Sequence, residues 1–156
     1  MTKLGYACST EGEVALSAGV AKSVLGAKAG AGVGLDLQYF EIDFDGVTAS
    51  AEPVLVELCY CTFATNSPGT NSTGGAERQL YGRVTVADWT AGFNWIAEPT
   101  VVTSTLPFAL DPNKGLFSYD FSLGQTPDTA VAEGFVIRCN APAAVSCRAT
   151  LKLEHA

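Results

Sequence analysis

The sequence contains a single histidine, His155, which is the next-to-last residue. Catalytic Ser-His-Asp and Cys-His groups, and most zinc sites, need a histidine beside other reactive side chains. We therefore predict a protein that is not an enzyme and that uses no cofactor and no metal. An enzyme of the cupin type is one alternative, but cupins bind metal through several histidines, so the shortage of histidine argues against it.

Charged residues are also scarce, at 16% of the chain, whereas soluble domains usually have about 25%. The basic residues are the scarcer kind, with 9 Lys and Arg against 16 Asp and Glu, and the net charge is −7. Binding to nucleic acid depends on clustered Lys and Arg, so we predict no nucleic-acid partner. The high apolar content, 47%, argues against a disordered chain.

Long apolar runs are absent from the sequence. The most apolar stretch, residues 14–33, is interrupted by Ser17, Lys22 and Lys28, and a membrane span needs about 20 apolar residues. The first residues lack the apolar centre of a secretory signal. We therefore expect no membrane partner and synthesis in a cytoplasm.

The five cysteines, an odd number, do not suggest a disulfide framework in a protein without an export signal. Cys59 and Cys61 are two residues apart on an apolar run, so on a strand they point to the same face. Cys139 and Cys147 lie on later apolar runs that could meet them. A four-cysteine metal site and a set of buried core thiols are both possible. The Cys-x-Cys spacing favours the core thiols.

The residues that are present follow the period of two that is typical of β-strands. Residues 35–44 alternate between apolar and polar, and the apolar phase moves by one residue between Tyr39 and Phe40, which predicts a β-bulge. Residues 54–63 are apolar almost throughout, as in a strand buried on both faces. Residues 145–153 alternate again, as in a strand with one exposed face.

No segment keeps a helical period, and turn-forming residues separate the strands. We therefore predict an all-β protein, a single-domain β-sandwich of jelly-roll type with about eight strands. Residues 1–12 are polar and mixed and are predicted to be an N-terminal arm, and residues 13–156 are predicted to be the jelly-roll domain. Residues 66–75 and 111–115 are predicted to be a long loop and a tight turn.

Three further patterns have a functional and a structural interpretation. Glycines at 30, 32 and 34 resemble a phosphate-binding loop, but no helix follows, so we interpret them as a connection. Glu41, Asp43 and Asp45 alternate on one strand and could bind calcium, although no ligand loop arranges them. Trp89, Phe93 and Trp95 are either core residues or interface anchors.

Three segments of the chain resemble small virion proteins of tailed bacteriophages. The first, residues 39–58, contains Phe-Asp-Gly followed by Ala-Glu-Pro-Val-Leu-Val-Glu-Leu; the others are residues 119–125 and 135–145. The resemblance spans roughly residues 14–153 in order, and its motifs are turns and core strands. The chain departs from the group at Cys59, at Cys61 and in the loop 66–75.

The resemblance implies a capsid decoration, or cement, protein of jelly-roll type. Its partners would be the major capsid protein and two further copies of itself in a homotrimer. It would be made in the host cytoplasm and lie on the capsid exterior of a virion. A structural component of a phage tail or head fibre, with or without glycan binding, is the alternative. The residues predicted to form the interface lie in the arm and in the aromatic segment: Thr2, Lys3, Leu4, Tyr6, Trp89, Phe93 and Trp95.

Overall fold

The computed structural model describes residues 4–45 and 52–156 of the chain. These two ranges contain no helix, and therefore none long and apolar enough to cross a membrane. They form thirteen β-strands, whose bounds are β1 (Gly5–Ser9), β2 (Val14–Leu16), β3 (Ala21–Ala29), β4 (Leu35–Asp45), β5 (Val54–Cys61), β6 (Thr73–Gly74), β7 (Arg78–Tyr81), β8 (Trp89–Phe93), β9 (Val102–Leu110), β10 (Phe117–Asp120), β11 (Asp128–Thr129), β12 (Gly134–Asn140) and β13 (Val145–His155).

The strands form two antiparallel sheets that pack face to face around an apolar core. The first sheet runs β10-β4-β13-β1-β7, with β11 beside β4 and β2 beside β13; the second runs β6-β8-β3-β12-β5-β9. The predicted all-β class is confirmed. The strand number differs from the prediction of about eight, because five short strands of two to four residues add to the eight longer ones.

The centre of the first sheet is the pair β4–β13, whose inward residues include Phe40, Ile42 and Leu151. The register of this pair shifts at Lys152, where one extra residue of β4 is accommodated near Tyr39. This is the bulge that the phase change predicted, and it keeps the apolar residues on both sides of it in the core. The alternating burial of β13 confirms that this strand has one exposed face.

The outer face of the second sheet carries a second, smaller apolar cluster made of Cys59, Cys61, Phe63, Trp95 and Val136. Two loops, residues 62–72 and 94–101, cover it. The Trp95 ring stacks on Phe63, with 6.4 Å between ring centroids, and its indole N–H donates to the backbone oxygen of Asn66 at 2.9 Å. The central strands of this sheet are therefore buried on both faces.

Polar contacts close the rim of this second cluster. The backbone N–H and the hydroxyl of Ser23 each donate to the Glu98 carboxylate at 2.6 Å, which ties the 94–101 loop to β3. Arg138 forms an ion pair with Glu57 at 2.8 Å, and both side chains are mostly buried. The loops are thus fixed by specific bonds as well as by apolar contact.

The prediction of an arm over residues 1–12 is wrong for its described part. Residues 5–9 form β1, which pairs with β13 on one side and with β7 on the other. Tyr6 and Cys8 point into the core and are almost fully buried. The alternation of these two apolar residues with Ala7 and Ser9 is the signal of a strand, but it spans too few residues to stand out from its polar surroundings.

Candidate interface surfaces

The two predicted tryptophan anchors lie in the protein interior. Trp89 begins β8 and packs against Tyr6, with its side chain only 3% exposed. Trp95 is 1% exposed beneath the loops of the second cluster. The prediction that these two tryptophans are interface anchors is therefore wrong, because an interface residue must be accessible in the free protein. Their function here is packing.

The remaining predicted interface residues divide into three groups. Tyr6 is 1% exposed, so its prediction as an interface residue is also wrong. Leu4 and Phe93 are half-buried and pack against the main core, and their part in an interface stays a prediction. Thr2 and Lys3 lie outside the described residues, and their part in an interface stays a prediction.

One exposed apolar surface is the loop 82–86, which follows the edge strand β7. Val84 and Val86 are 91% and 89% exposed. The Gln79 side chain holds the loop from inside, since its amide nitrogen donates to the backbone oxygens of Tyr81 and Arg83 and its oxygen accepts from Thr85 N–H at 3.5 Å. Apolar side chains on a held loop are typical of a protein contact site. We call this surface the valine loop.

A second apolar surface, only partly exposed, lies at the opposite edge of the sandwich, where β9 and β10 meet. We call it the aromatic edge. Its residues are Phe40, Phe108, Phe117, Tyr119 and Phe121, whose rings lie 4.8–6.3 Å apart. Phe40 is buried and Tyr119 is 38% exposed, so the cluster leads from the core to the surface. Leu116 and Leu123, on either side of it in the sequence, are also exposed.

Charge is unevenly distributed over the two sheets. On the outer face of the first sheet, Glu41, Asp43 and Asp45 alternate with inward residues of β4. Arg148 on β13 contacts Glu13 and Asp45, at 2.9 and 3.9 Å. By contrast β9, the edge strand beside the aromatic cluster, has no charged residue over its nine positions. The acidic face repels other acidic surfaces, whereas the edge at β9 does not.

The free edge of β9 has a feature that limits strand addition. Pro107 lies opposite Glu57 in the β5–β9 pair and has no N–H to offer. Prolines on edge strands are a common protection against indefinite edge-to-edge growth. Contacts at this edge are therefore expected to use side chains rather than a continued sheet.

The structure favours the core-thiol interpretation of the cysteines. All five are buried and unpaired by disulfides. Burial raises the pKa of Cys59 to about 12, and a hydrogen bond with Cys147 together with burial raises the pKa of Cys139. No group of three or more metal-binding side chains, including the carboxylates of β4, converges within residues 4–45 and 52–156.

The glycine segment 30–34 forms the connection between β3 and β4, as expected. The backbone N–H groups of Gly30 and Gly32 donate to the backbone oxygen and to the carboxylate of Asp88, each at 2.8 Å. These glycines therefore dock one loop of the sandwich on another.

No known protein family, curated protein or solved structure matches this chain.

Sequence reasoning missed both exposed surfaces. The alternation in Val84-Thr85-Val86 continues the pattern of a strand, yet β7 ends at Tyr81. A signal was present in Gly82, whose φ of 102° breaks a strand. The aromatic edge joins residues of β4, β9 and β10 that are far apart in the sequence, so no local pattern could reveal it.

Proposed function

We propose that this protein is a bacteriophage capsid decoration protein. It binds the outer surface of the major capsid lattice as a homotrimer of jelly-roll sandwiches and stabilises the head. The resemblance of three segments to such virion proteins supports this proposal. One structural observation also supports it. Accessible apolar side chains occur at two opposite edges of the β-sandwich, which suits a protein that bridges neighbouring capsid subunits.

The mechanism is the burial of surface across the seams between capsid subunits. A cement protein that touches two subunits must be broken or released before those subunits separate, so its binding free energy adds to the resistance against the pressure of packed DNA. This role needs a rigid body with two contact surfaces and no catalytic group.

The valine loop and the aromatic edge have different charge surroundings, which suggests that they bind different partners. Copies with a charge of −7 repel each other, so self-association is least costly along the uncharged strand β9 beside the aromatic edge. The valine loop, with Arg83 between Tyr81 and Val84, is then left for the capsid subunit. Thr2 and Lys3 extend the capsid contact in this proposal.

Native mass tests the homotrimer. Light scattering after size exclusion, at two protein concentrations, is expected to give three times the chain mass of 16.2 kDa. Replacing Tyr119 by Asp places a charge on the aromatic edge and is expected to give monomers with an unchanged circular dichroism spectrum. A wild-type mass of one chain at both concentrations contradicts a trimer in solution.

Co-sedimentation with empty shells of the phage's major capsid protein tests the capsid contact. The double variant Val84→Ser/Val86→Ser is expected to lose shell binding, since both side chains project into solvent and are not part of the core. Val131→Ser, at another exposed valine, is the matched control and is expected to bind like the wild type. Equal binding of the double variant and the control contradicts the role of the valine loop.

The fibre alternative makes a different prediction. A glycan-binding loop at residues 66–75 needs free polar side chains, but Asn71 donates to Asn66, and Asn66 donates to the backbone oxygen of Glu98. Specific binding on a glycan array, together with no binding to shells, would favour the fibre function over the decoration function.

A further inference from the structure

Three side-chain polar atoms are buried at one end of the sandwich without a hydrogen-bond partner among the described residues. They are the hydroxyl oxygen of Tyr6, the indole nitrogen of Trp89 and the Nε2 atom of His155. The Tyr6 and Trp89 side chains are at least 97% buried. An unpaired polar atom in such a place is costly, and in native proteins it usually has a partner.

The three groups lie together, although they come from both sheets. The Tyr6 ring on β1 is 4.7 Å from the His155 ring on β13 and 5.7 Å from the Trp89 ring on β8, measured between centroids. Tyr6 thus lies in the middle of the three rings and contacts both of the others. The other indole of the protein is different, because Trp95 already donates to the backbone oxygen of Asn66.

The chemistry of the three groups defines the partner that they need. Trp89 can only donate, the Tyr6 hydroxyl can donate or accept, and the Nε2 of His155 donates or accepts according to which imidazole nitrogen carries the proton. Burial lowers the pKa of His155, although the Asp88 carboxylate opposes this, so the imidazole is neutral at neutral pH. A metal ion cannot satisfy the indole N–H, and an anion cannot satisfy Nε2 in the tautomer in which it accepts. A small neutral molecule that both donates and accepts satisfies all three groups in either tautomer.

We propose that Tyr6, Trp89 and His155 form a binding site for one internal water molecule that bridges the two sheets. The water accepts from the Trp89 N–H and forms a hydrogen bond with His155 Nε2 and a third with the Tyr6 hydroxyl. Internal waters typically make about three hydrogen bonds to buried polar groups, which is the number offered here. The site ties β1 and β13 of the first sheet to β8 of the second.

Nuclear magnetic resonance tests the site, because the chain has two tryptophans and the second is an internal control. The two indole N–H signals are assigned with Trp89→Phe and Trp95→Phe. Cross-relaxation with water is then measured in the laboratory and rotating frames. For the Trp89 signal, the cross-relaxation rates with water are expected to have opposite signs in the two frames, as for a long-lived bound water. The Trp95 signal is expected to show no such contact.

Tyr6→Phe separates bound water from proton exchange through the tyrosine hydroxyl. The Trp89 contact is expected to persist in this variant, since two of the three partners remain. Its complete loss in a folded Tyr6→Phe protein, or its absence in the wild type, overturns the proposal. A high-resolution crystal structure gives an independent reading, in which water density within hydrogen-bond distance of Trp89 Nε1 is expected. Density showing only direct bonds among the three side chains overturns the site.

Discussion

Replacing Gly26 by Ala is expected to destabilise the protein through the second apolar cluster. Gly26 lies on β3 beneath Trp95, and a Cβ atom there would be 2.7 Å from Val136 Cγ1 and 3.0 Å from both Trp95 Cη2 and the backbone oxygen of Phe135. Overpacking of this kind costs typically about 1–3 kcal/mol. Alanine also restricts the unfolded chain more than glycine does, which stabilises the folded state by about 0.4–1 kcal/mol. We expect a net loss of roughly 1–2 kcal/mol.

Gly74→Ala is the matched control for this experiment. Gly74 is also a strand glycine of the second sheet, on β6, but a Cβ atom added to it would have nothing within 4 Å. The Gly74→Ala variant is expected to be neutral or slightly stabilising. Urea unfolding followed by tryptophan fluorescence measures both variants, and with a slope of about 1–3 kcal/mol per molar urea the Gly26→Ala midpoint falls by about 1 M. A Gly26→Ala protein as stable as Gly74→Ala would refute the view that Trp95 and its loops pack closely on the outer face of the second sheet.

Three further outcomes follow from the contacts of single side chains. The pKa of His155 is lowered in the folded state, so the unfolded state takes up a proton first as the pH falls through about 6.5. The folded protein therefore loses stability as the pH falls through this range. The variant His155→Gln is expected to remove this pH dependence from a series of urea midpoints measured at different pH values. Arg138→Met leaves the mostly buried Glu57 unpaired and is expected to cost about 1–3 kcal/mol, whereas Arg78→Met, at an exposed ion pair with Glu11, costs under about 1 kcal/mol; equal losses would contradict this difference. The five buried thiols are expected to react with a thiol reagent only after unfolding, and fast reaction of the native protein would contradict their burial.

Strand patterns with a clear period could be predicted from the sequence. The alternation in residues 35–44 placed both β4 and its bulge, because a bulge must shift the apolar phase if the core is to stay filled. The turn at residues 111–115 also occurs where expected, with Gly115 at a φ of 84°. These features depend on residues that are close together in the sequence, so a local pattern was enough to predict them.

Features that depend on distant contacts could not be predicted. The role of Trp95 is set by the loop 62–72, whose polar composition gave no sign that it covers a sheet. Tyr6 lies in a segment that resembles an arm because its partners on β7 and β13 are more than 70 residues away. The two tryptophan candidates for the interface were wrong for the same reason, since a local cluster of aromatic residues does not reveal which side of the sheet each residue occupies.

Electron cryomicroscopy of shells tests the central proposal most directly. Empty shells of the major capsid protein are imaged after incubation with the wild-type protein, and again after incubation with Val84→Ser/Val86→Ser. We predict added density the size of three sandwiches on the outer surface at local threefold positions, with the wild type only. Shells without added density at saturating protein, or density confined to a tail or fibre attachment, would contradict the assignment as a decoration protein.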